Sequence, residues 1–279
     1  MKTVVTHISP DLDAIAAVWL IKRFLPGWHK AEVEFVPAGL TFDKQPADEN
    51  PNIIHVDTGL GKFDHHIGNK DTCAAKKVFL FLKQKGFIKK KLIEPLHRMI
   101  KIINDIDHFR EVFLPNPDSD IYDFFIVGIL DGLRMKFQND LQLLETAEII
   151  LDGILKTFSN KVQAEEEIRK GLTFPTKWGR TIAIETDNEE SSRLAQKKGY
   201  SLVIRKSPKK GHLRIKLLPG RDKDNLSILY NLLKQKDPGA TWYFHPSGKM
   251  ILNGTAKNPN TIPTKLTLNE VTRIVKKVL

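Results

Sequence analysis

The first 25 residues constrain the fold more than any other segment. Lys2 to Thr6 is a short β-branched run, Ser9-Pro10-Asp11 breaks it, and Ala14 to Phe24 reads as a helix ended by Pro26-Gly27. Strand, loop and helix in that order open a βαβ unit, which commits the chain to strands that run side by side in one direction. Glu32 to Val36 and Pro51 to Val56 supply further short apolar runs, and Thr72 to Leu82 reads as a helix whose last turn reaches Gly86. The expected architecture is α/β, with a mostly parallel sheet in the N-terminal part. From Leu92 onward, Leu92, Leu96, Met99, Ile103 and Ile106 recur at helical spacing, and Ile121–Phe137, Leu141–Phe158 and Lys161–Lys170 continue as helices. This helical cover leads to Gly171–Arg180, which with Pro175 and Gly179 reads as a linker.

Charge changes sign at that point. Residues 1–171 hold 23 Lys and Arg against 25 Asp and Glu, a net −2, whereas residues 172–279 hold 21 against 8, a net +13. A neutral-to-acidic domain followed by a basic one favours a polyanionic partner for the second. The tail beyond the linker is expected to be a smaller α+β domain. Its expected strands are Thr181–Glu185, Ser201–Arg205 and His212–Leu218, followed by a helix near Asn225–Lys234, a hairpin over Thr241–Leu252 and a last helix capped by Thr267 and Glu270. The domain expectation is therefore 1–158, a connecting helix and linker over 159–180, and 181–279.

Composition excludes several classes. The one cysteine, Cys73, rules out an intramolecular disulfide and a thiolate zinc cluster. No apolar run approaches the ~18 residues of a membrane span. The start Met1–His7 lacks the apolar stretch of a secretory signal, so a reducing cytoplasm is the expected compartment.

The residues that can carry chemistry lie in the loops after the strands, where open α/β sheets bind ligands. His7-x-x-x-Asp11-x-Asp13 follows the first strand directly and offers imidazole and carboxylate ligands suited to Mn²⁺, Mg²⁺, Fe²⁺ or Zn²⁺. Asn52–Val56 is an apolar strand ending at Asp57, and Asp64-His65-His66 comes seven residues later. A carboxylate at that strand end can bridge two metals, and the adjacent histidines can serve as a metal ligand and a phosphate contact.

In order and context these motifs resemble the DHH phosphoesterase superfamily, named for its Asp-His-His signature. The group includes RecJ-type exonucleases, nano-RNA and cyclic-dinucleotide phosphodiesterases and family II pyrophosphatases. The resemblance covers about the first 110 residues. It implies two divalent cations, manganese first and magnesium, cobalt or iron as alternatives, with His7, Asp11 and Asp57 around one and Asp13, Asp57 and His65 around the other. Asp57 is then the bridge, Asp64 orients a histidine, and His66 faces the phosphate, so that Asp57, Asp64, His65 and His66 form the catalytic set. The fourth motif of the superfamily, one further Asp, falls on Asp105 or Asp107. The neighbouring residues in other members favour Asp105. Helical phase favours Asp107, which follows Ile103 by four residues.

The implied activity is metal-dependent hydrolysis by a bridging hydroxide, in a cleft between the two domains. The substrates are the phosphodiester bonds of short oligonucleotides, single-stranded nucleic acid or a nucleotide signal. An inorganic pyrophosphatase is the alternative enzyme, and a non-catalytic nucleic-acid-binding or regulatory protein is the alternative from another class. The second domain lacks the Gly-Gly-Gly-His signature of many nucleic-acid-directed members. The nearest candidates for substrate binding there are His245, Lys249 and Lys257 of the last hairpin, with Arg205 from the lysine- and arginine-rich one. A homodimer is compatible with the sequence, and a membrane is not an expected partner.

Overall fold

The computed structural model describes residues 2–68, 71–220, 224–254, 258 and 260–278. They divide into two compact units, Met1–Ser159 and Asn160–Leu279.

The first unit is built on a three-stranded sheet of β1 (Thr3–His7), β2 (Glu32–Val36) and β3 (Ile53–His55), in the order β2-β1-β3 with both pairings parallel. β1 is central because it is apolar on both faces, with Val4 and Val5 fully buried. α1 (Leu12–Phe24) starts at Asp11, whose side chain accepts the Ala14 amide, and buries every residue from Leu12 to Ile21. α2 (Ala74–Gln84) and α3 (Lys90–Asp107) pack in the same core through Val78, Phe79, Leu96 and Ile100. α4 (Ile126–Lys136) follows, and then α5 (Asp140–Lys170). Trp19 donates from Nε1 to Asp152 of α5 at 3.1 Å, and Lys22 reaches Glu148 at 2.9 Å, tying α1 to the α5 segment of the same unit.

Two expectations about these helices are corrected. Residues 121–125 are not helical: successive turns, Tyr122 to Ser119 and Phe125 to Tyr122, fold that segment onto the start of α4. Gly128 permits the approach, because a Cβ there would collide with the Asp123 carbonyl oxygen. The two helices expected between Leu141 and Lys170 are one continuous helix of 31 residues.

The second unit holds a six-stranded mixed sheet in the order β4-β5-β6-β7-β9-β8. Its strands are β4 (Leu172–Thr176), β5 (Gly179–Glu185), β6 (Leu202–Lys206), β7 (Leu213–Leu217), β8 (Tyr243–Phe244) and β9 (Met250–Asn253). Among the described residues only β5 and β6 pair in parallel in this sheet, joined through α6 (Glu190–Lys197). α7 (Ser227–Lys236) and α8 (Leu268–Lys277) bury Leu229, Leu233, Val271 and Val275 in one core with Leu202, Ile204 and Ile215. α6 and the end of α5 form a smaller one on Ile182, Ile184 and Val203. Gly171–Arg180 is thus not a linker but an antiparallel hairpin whose Trp178 is 1% exposed. Pro175 is accommodated because β4 is the edge strand, where the missing N–H leaves no ladder bond unmade.

The last hairpin is organised by Asn253, which is fully buried. Its Nδ2 donates to the carbonyls of Thr241 and Ile262 at 2.8 and 2.9 Å, and its Oδ1 accepts the Thr264 amide at 2.7 Å. Lys206, buried on the same side of the sheet, caps the Thr264 and Leu266 carbonyls. Truncating Asn253 to Ala removes three hydrogen bonds and leaves the amide of buried Thr264 without its acceptor, while the Ile262 carbonyl keeps the Thr241 amide. We expect Asn253→Ala to cost about 2–3 kcal/mol in urea denaturation, and a change below ~0.5 kcal/mol would show that water replaces the amide freely.

Candidate metal centre

Parallel pairing places the two chemical loops side by side. Val5 stands opposite His55 in the register, so the chain two residues further brings His7 level with Asp57. Their side chains meet, with His7 Nε2 3.3 Å from Asp57 Oδ2. Asp57 adopts a left-handed backbone conformation, φ 55°, which Asp tolerates better than most residues. The turn that follows is held by Thr58, whose Oγ1 donates to the Leu40 carbonyl and accepts the Gly39 amide. Gly59, φ +75°, fits there because a Cβ would stand 2.8 Å from Thr41 and 3.3 Å from His55.

Asp64 organises the return of this loop. It is 1% exposed and accepts from the amides of Leu60 and His66 and from His66 Nδ1 at 2.8 Å, while Lys77 caps its carbonyl. With Nδ1 engaged, His66 is left with Nε2 in a side chain that is 60% exposed. His65 turns inward: its Nε2 lies 3.1 Å from Asp57 Oδ1 and 3.8 Å from both Asp13 Oδ2 and Asp107 Oδ1. Asp13 comes from the first turn of α1 and accepts the Ala74 and Ala75 amides at the start of α2. Asp107 is the last residue of α3.

Among the described residues three sets of ligand atoms gather within 4.8 Å: His7, Asp11 and Asp57; Asp13, His65 and Asp107; and Asp57, His65 and His66. Asp105 is in none of them. It pairs with Arg110 at 2.8 Å, which also holds Asp71 at 3.0 Å, so the structure sets it in an ion pair rather than with the other candidate ligands. A cavity of about 340 Å³ is lined by His7, Asp11, Asp57, His65, His66 and Asp107.

Electrostatics fits this donor set to cations. Burial and the Asp57 charge push the Asp13 carboxyl up to about 7, and burial also raises Asp107. Burial pushes Asp57 the same way, but His65 and His7 outweigh it and hold that carboxyl well below the usual carboxylate range. Both imidazoles are raised to about 9, first by contact with Asp57 and against the effect of burial. Asp57 Oδ1 is buried without a hydrogen-bond partner, although His65 Nε2 is 3.1 Å away, so the two atoms approach without hydrogen-bond alignment. His7 Nδ1 lies 2.9 Å from the Ile8 carbonyl, and donation there leaves Nε2 as the atom free to bind metal. Crowded buried carboxylates, an orphaned oxygen and a pre-set tautomer together suit hard or borderline divalent ions.

One neighbour was not singled out by sequence reasoning. Arg134 of α4 donates to the Pro10 carbonyl at 3.0 Å and to Asp131 at 2.7 Å, bracing the loop that carries Asp11. It borders a cavity of about 200 Å³ with Asp11, Asp13 and Asp107. Helical charge alone carries no signal for such a role.

The residues expected to bind substrate in the second unit are differently placed. Lys249 donates to the Asp224 carbonyl, and His245 Nδ1 lies 2.8 Å from Ser247 Oγ. Arg205 is 7% exposed and donates to the Thr186 carbonyl. Lys257 lies outside the described residues, as does Asn69 of the stretch that follows the Asp-His-His motif.

Comparison with known proteins adds the following. A family model described as ChrB, C-terminal domain, matches residues 4–158, more than half of the chain. No curated protein matches. Among solved structures, the DHH domain of a member of the s1p family of ribosomal proteins is 12% identical, with a TM-score of 0.32 over 98% of this chain and 85% of that one. RecJ from Thermus thermophilus in complex with Mg²⁺ is 12% identical, with a TM-score of 0.33 over 99% of this chain and 49% of that one. An exonuclease RecJ bound to manganese is also 12% identical, with a TM-score of 0.32 over 99% of this chain and 89% of that one. Likeness of that degree carries no weight for fold or chemistry. No helix among the described residues is long and apolar enough to cross a membrane.

The imidazole protonation states generate a prediction. At pH 7, groups with a pKa of about 9 hold their protons, so a cation entering the His7 and His65 sites must displace them. Manganese titration at pH 7 in buffers of different ionisation enthalpy should show release of about two protons, with Asp13 adding a fraction. Apparent affinity should rise with pH and level off above about 9. Binding without proton release would remove both imidazoles from the ligand set.

Proposed function

The chain belongs to the ChrB C-terminal-domain family, and we propose that it is a divalent-metal-dependent phosphoesterase that hydrolyses phosphodiester bonds in short oligonucleotides, single-stranded nucleic acid or a nucleotide signal. The carrying observation is the convergence of His7, Asp11, Asp13, Asp57, His65 and Asp107 on one small volume, with Asp57 common to the set of His7 and Asp11 and the set of His65 and His66. The family is not one named for the Asp-His-His signature, so the DHH resemblance enters on the residues alone: the motifs at 7–13, 57 and 64–66 supply every ligand but Asp107.

Divalent cations, when bound, would acidify water and neutralise charge growing on a phosphoryl group. His7, Asp11 and Asp57 would hold one ion; Asp13, His65 and Asp107 would hold the second, with Asp57 facing both. The protein's own contribution is preorganisation. The Ile8 carbonyl keeps His7 in one tautomer, the two amides of α2 hold Asp13 in place, and Asp64 fixes the ring of His66. His66, the most exposed ring of the cluster, is suited to contact a phosphoryl oxygen. The net +13 of residues 172–279 supports a polyanionic substrate over a small inorganic one.

The test is hydrolysis by metal-stripped protein resupplied with manganese, offered pyrophosphate, a short RNA and a short DNA. Cleavage of either oligomer, lost by ~10³-fold or more in Asp57→Asn, is the expected result. Cleavage of pyrophosphate alone would reassign the protein as a pyrophosphatase. Inertness toward all three, with oligomer binding retained, would overturn catalysis in favour of a binding role.

A further inference from the structure

The second unit contains a group of cations that its own carboxylates do not balance. Alternate residues of a strand share a face, and directly paired residues of neighbouring strands lie side by side. Val203 faces the small core with Ile182 and Ile184. Arg205 is therefore on that face of β6, Arg214 of β7 stands directly opposite it, and Lys216 stands opposite Val203. Like charges in direct cross-strand register repel, and burial magnifies the cost unless counter-charges are present.

The counter-charge is thin. Arg205 reaches Glu189 Oε1 at 3.4 Å, and Arg214 reaches the same oxygen at 3.1 Å. Among the described residues no carboxylate lies within 4 Å of Lys216. Asp187 and Glu167, the other acids near Arg205, are engaged by the hydroxyls of Ser207 and Ser191 at 2.5 Å. The Nε atoms of Arg205 and Arg214 are both buried with no hydrogen-bond partner, and Arg205 is 93% withdrawn from solvent. Burial and the Arg214 charge lower Arg205, and burial with the neighbouring arginines lowers Lys216. Glu189 itself is 61% exposed, so its carboxylate can swing into water.

We propose that Arg205, Arg214 and Lys216 form a phosphate-binding site in which a phosphoryl group takes the place now shared by the Glu189 carboxylate. A tetrahedral anion with several acceptor oxygens can receive both guanidinium groups and the ammonium at once, which a single shared carboxylate oxygen cannot. The source is inorganic phosphate or the terminal phosphate of a nucleotide. The site needs no divalent cation and stands whether or not the metal centre hydrolyses phosphodiesters.

Calorimetric titration of the full chain in EDTA, with inorganic phosphate and separately with a nucleoside 5′-monophosphate, tests it without engaging the metal centre. Glu189→Gln is the informative variant: removing the competing carboxylate should tighten phosphate binding several-fold, whereas a purely structural ion pair would show no such gain. Arg214→Gln should weaken binding at least tenfold. Lys216→Gln, which leaves both guanidinium groups in place, should weaken it less and guards against misfolding of the arginine variant. Equal affinity for both ligands assigns the site to the phosphate group itself, and tighter binding of the monophosphate assigns it to a nucleotide. No binding to wild-type protein, or affinity unchanged in all three variants, overturns the proposal.

Discussion

Three carboxylates, Asp13, Asp57 and Asp107, are held around two inward imidazoles in a largely buried space, and the first unit is arranged to keep them there. Such a cluster repels itself, and desolvation adds to the cost. The compensation is distributed: α2 offers two amides to Asp13, His7 and His65 face Asp57, and the loop over Thr58 to His66 is fastened by Asp64 and Thr58. The three-stranded sheet contributes the register that puts the ends of β1 and β3 level. α1, buried nearly all round, fixes Asp13 rigidly because its helix cannot turn about its axis without exposing apolar surface.

Much of this was legible in sequence because the relevant signals are local. A strand that runs into His7-x-x-x-Asp11-x-Asp13 and then a helix states its own geometry. Between Asp105 and Asp107 the sequence left both open; helical phase leaned to 107, which lies beside His65, while 105 meets Arg110. The hairpin at Leu172–Glu185 was illegible for a comparable reason in reverse. Proline and glycine mark a break wherever strand neighbours are unknown, and only the sheet order reveals that β4 is an edge that tolerates them.

The cations of the second unit show what sequence cannot resolve. Lys206 and Lys249 are spent on backbone carbonyls, which every sequence possesses and none advertises, while Arg205 and Arg214 are drawn into opposition by a strand register set by apolar neighbours. A formal count assigns all four the same charge. Their surroundings separate cations that finish the fold from cations that share one exposed carboxylate.

The backbone at Asp57 makes shape independent of charge. Its left-handed φ is a conformation that asparagine adopts as readily as aspartate. The corner can therefore lose its negative charge in a single replacement while its shape, and the loop built on it, persist. Fold and charge are separable at this position: an asparagine there would keep the turn and lose the negative charge that His7 and His65 face.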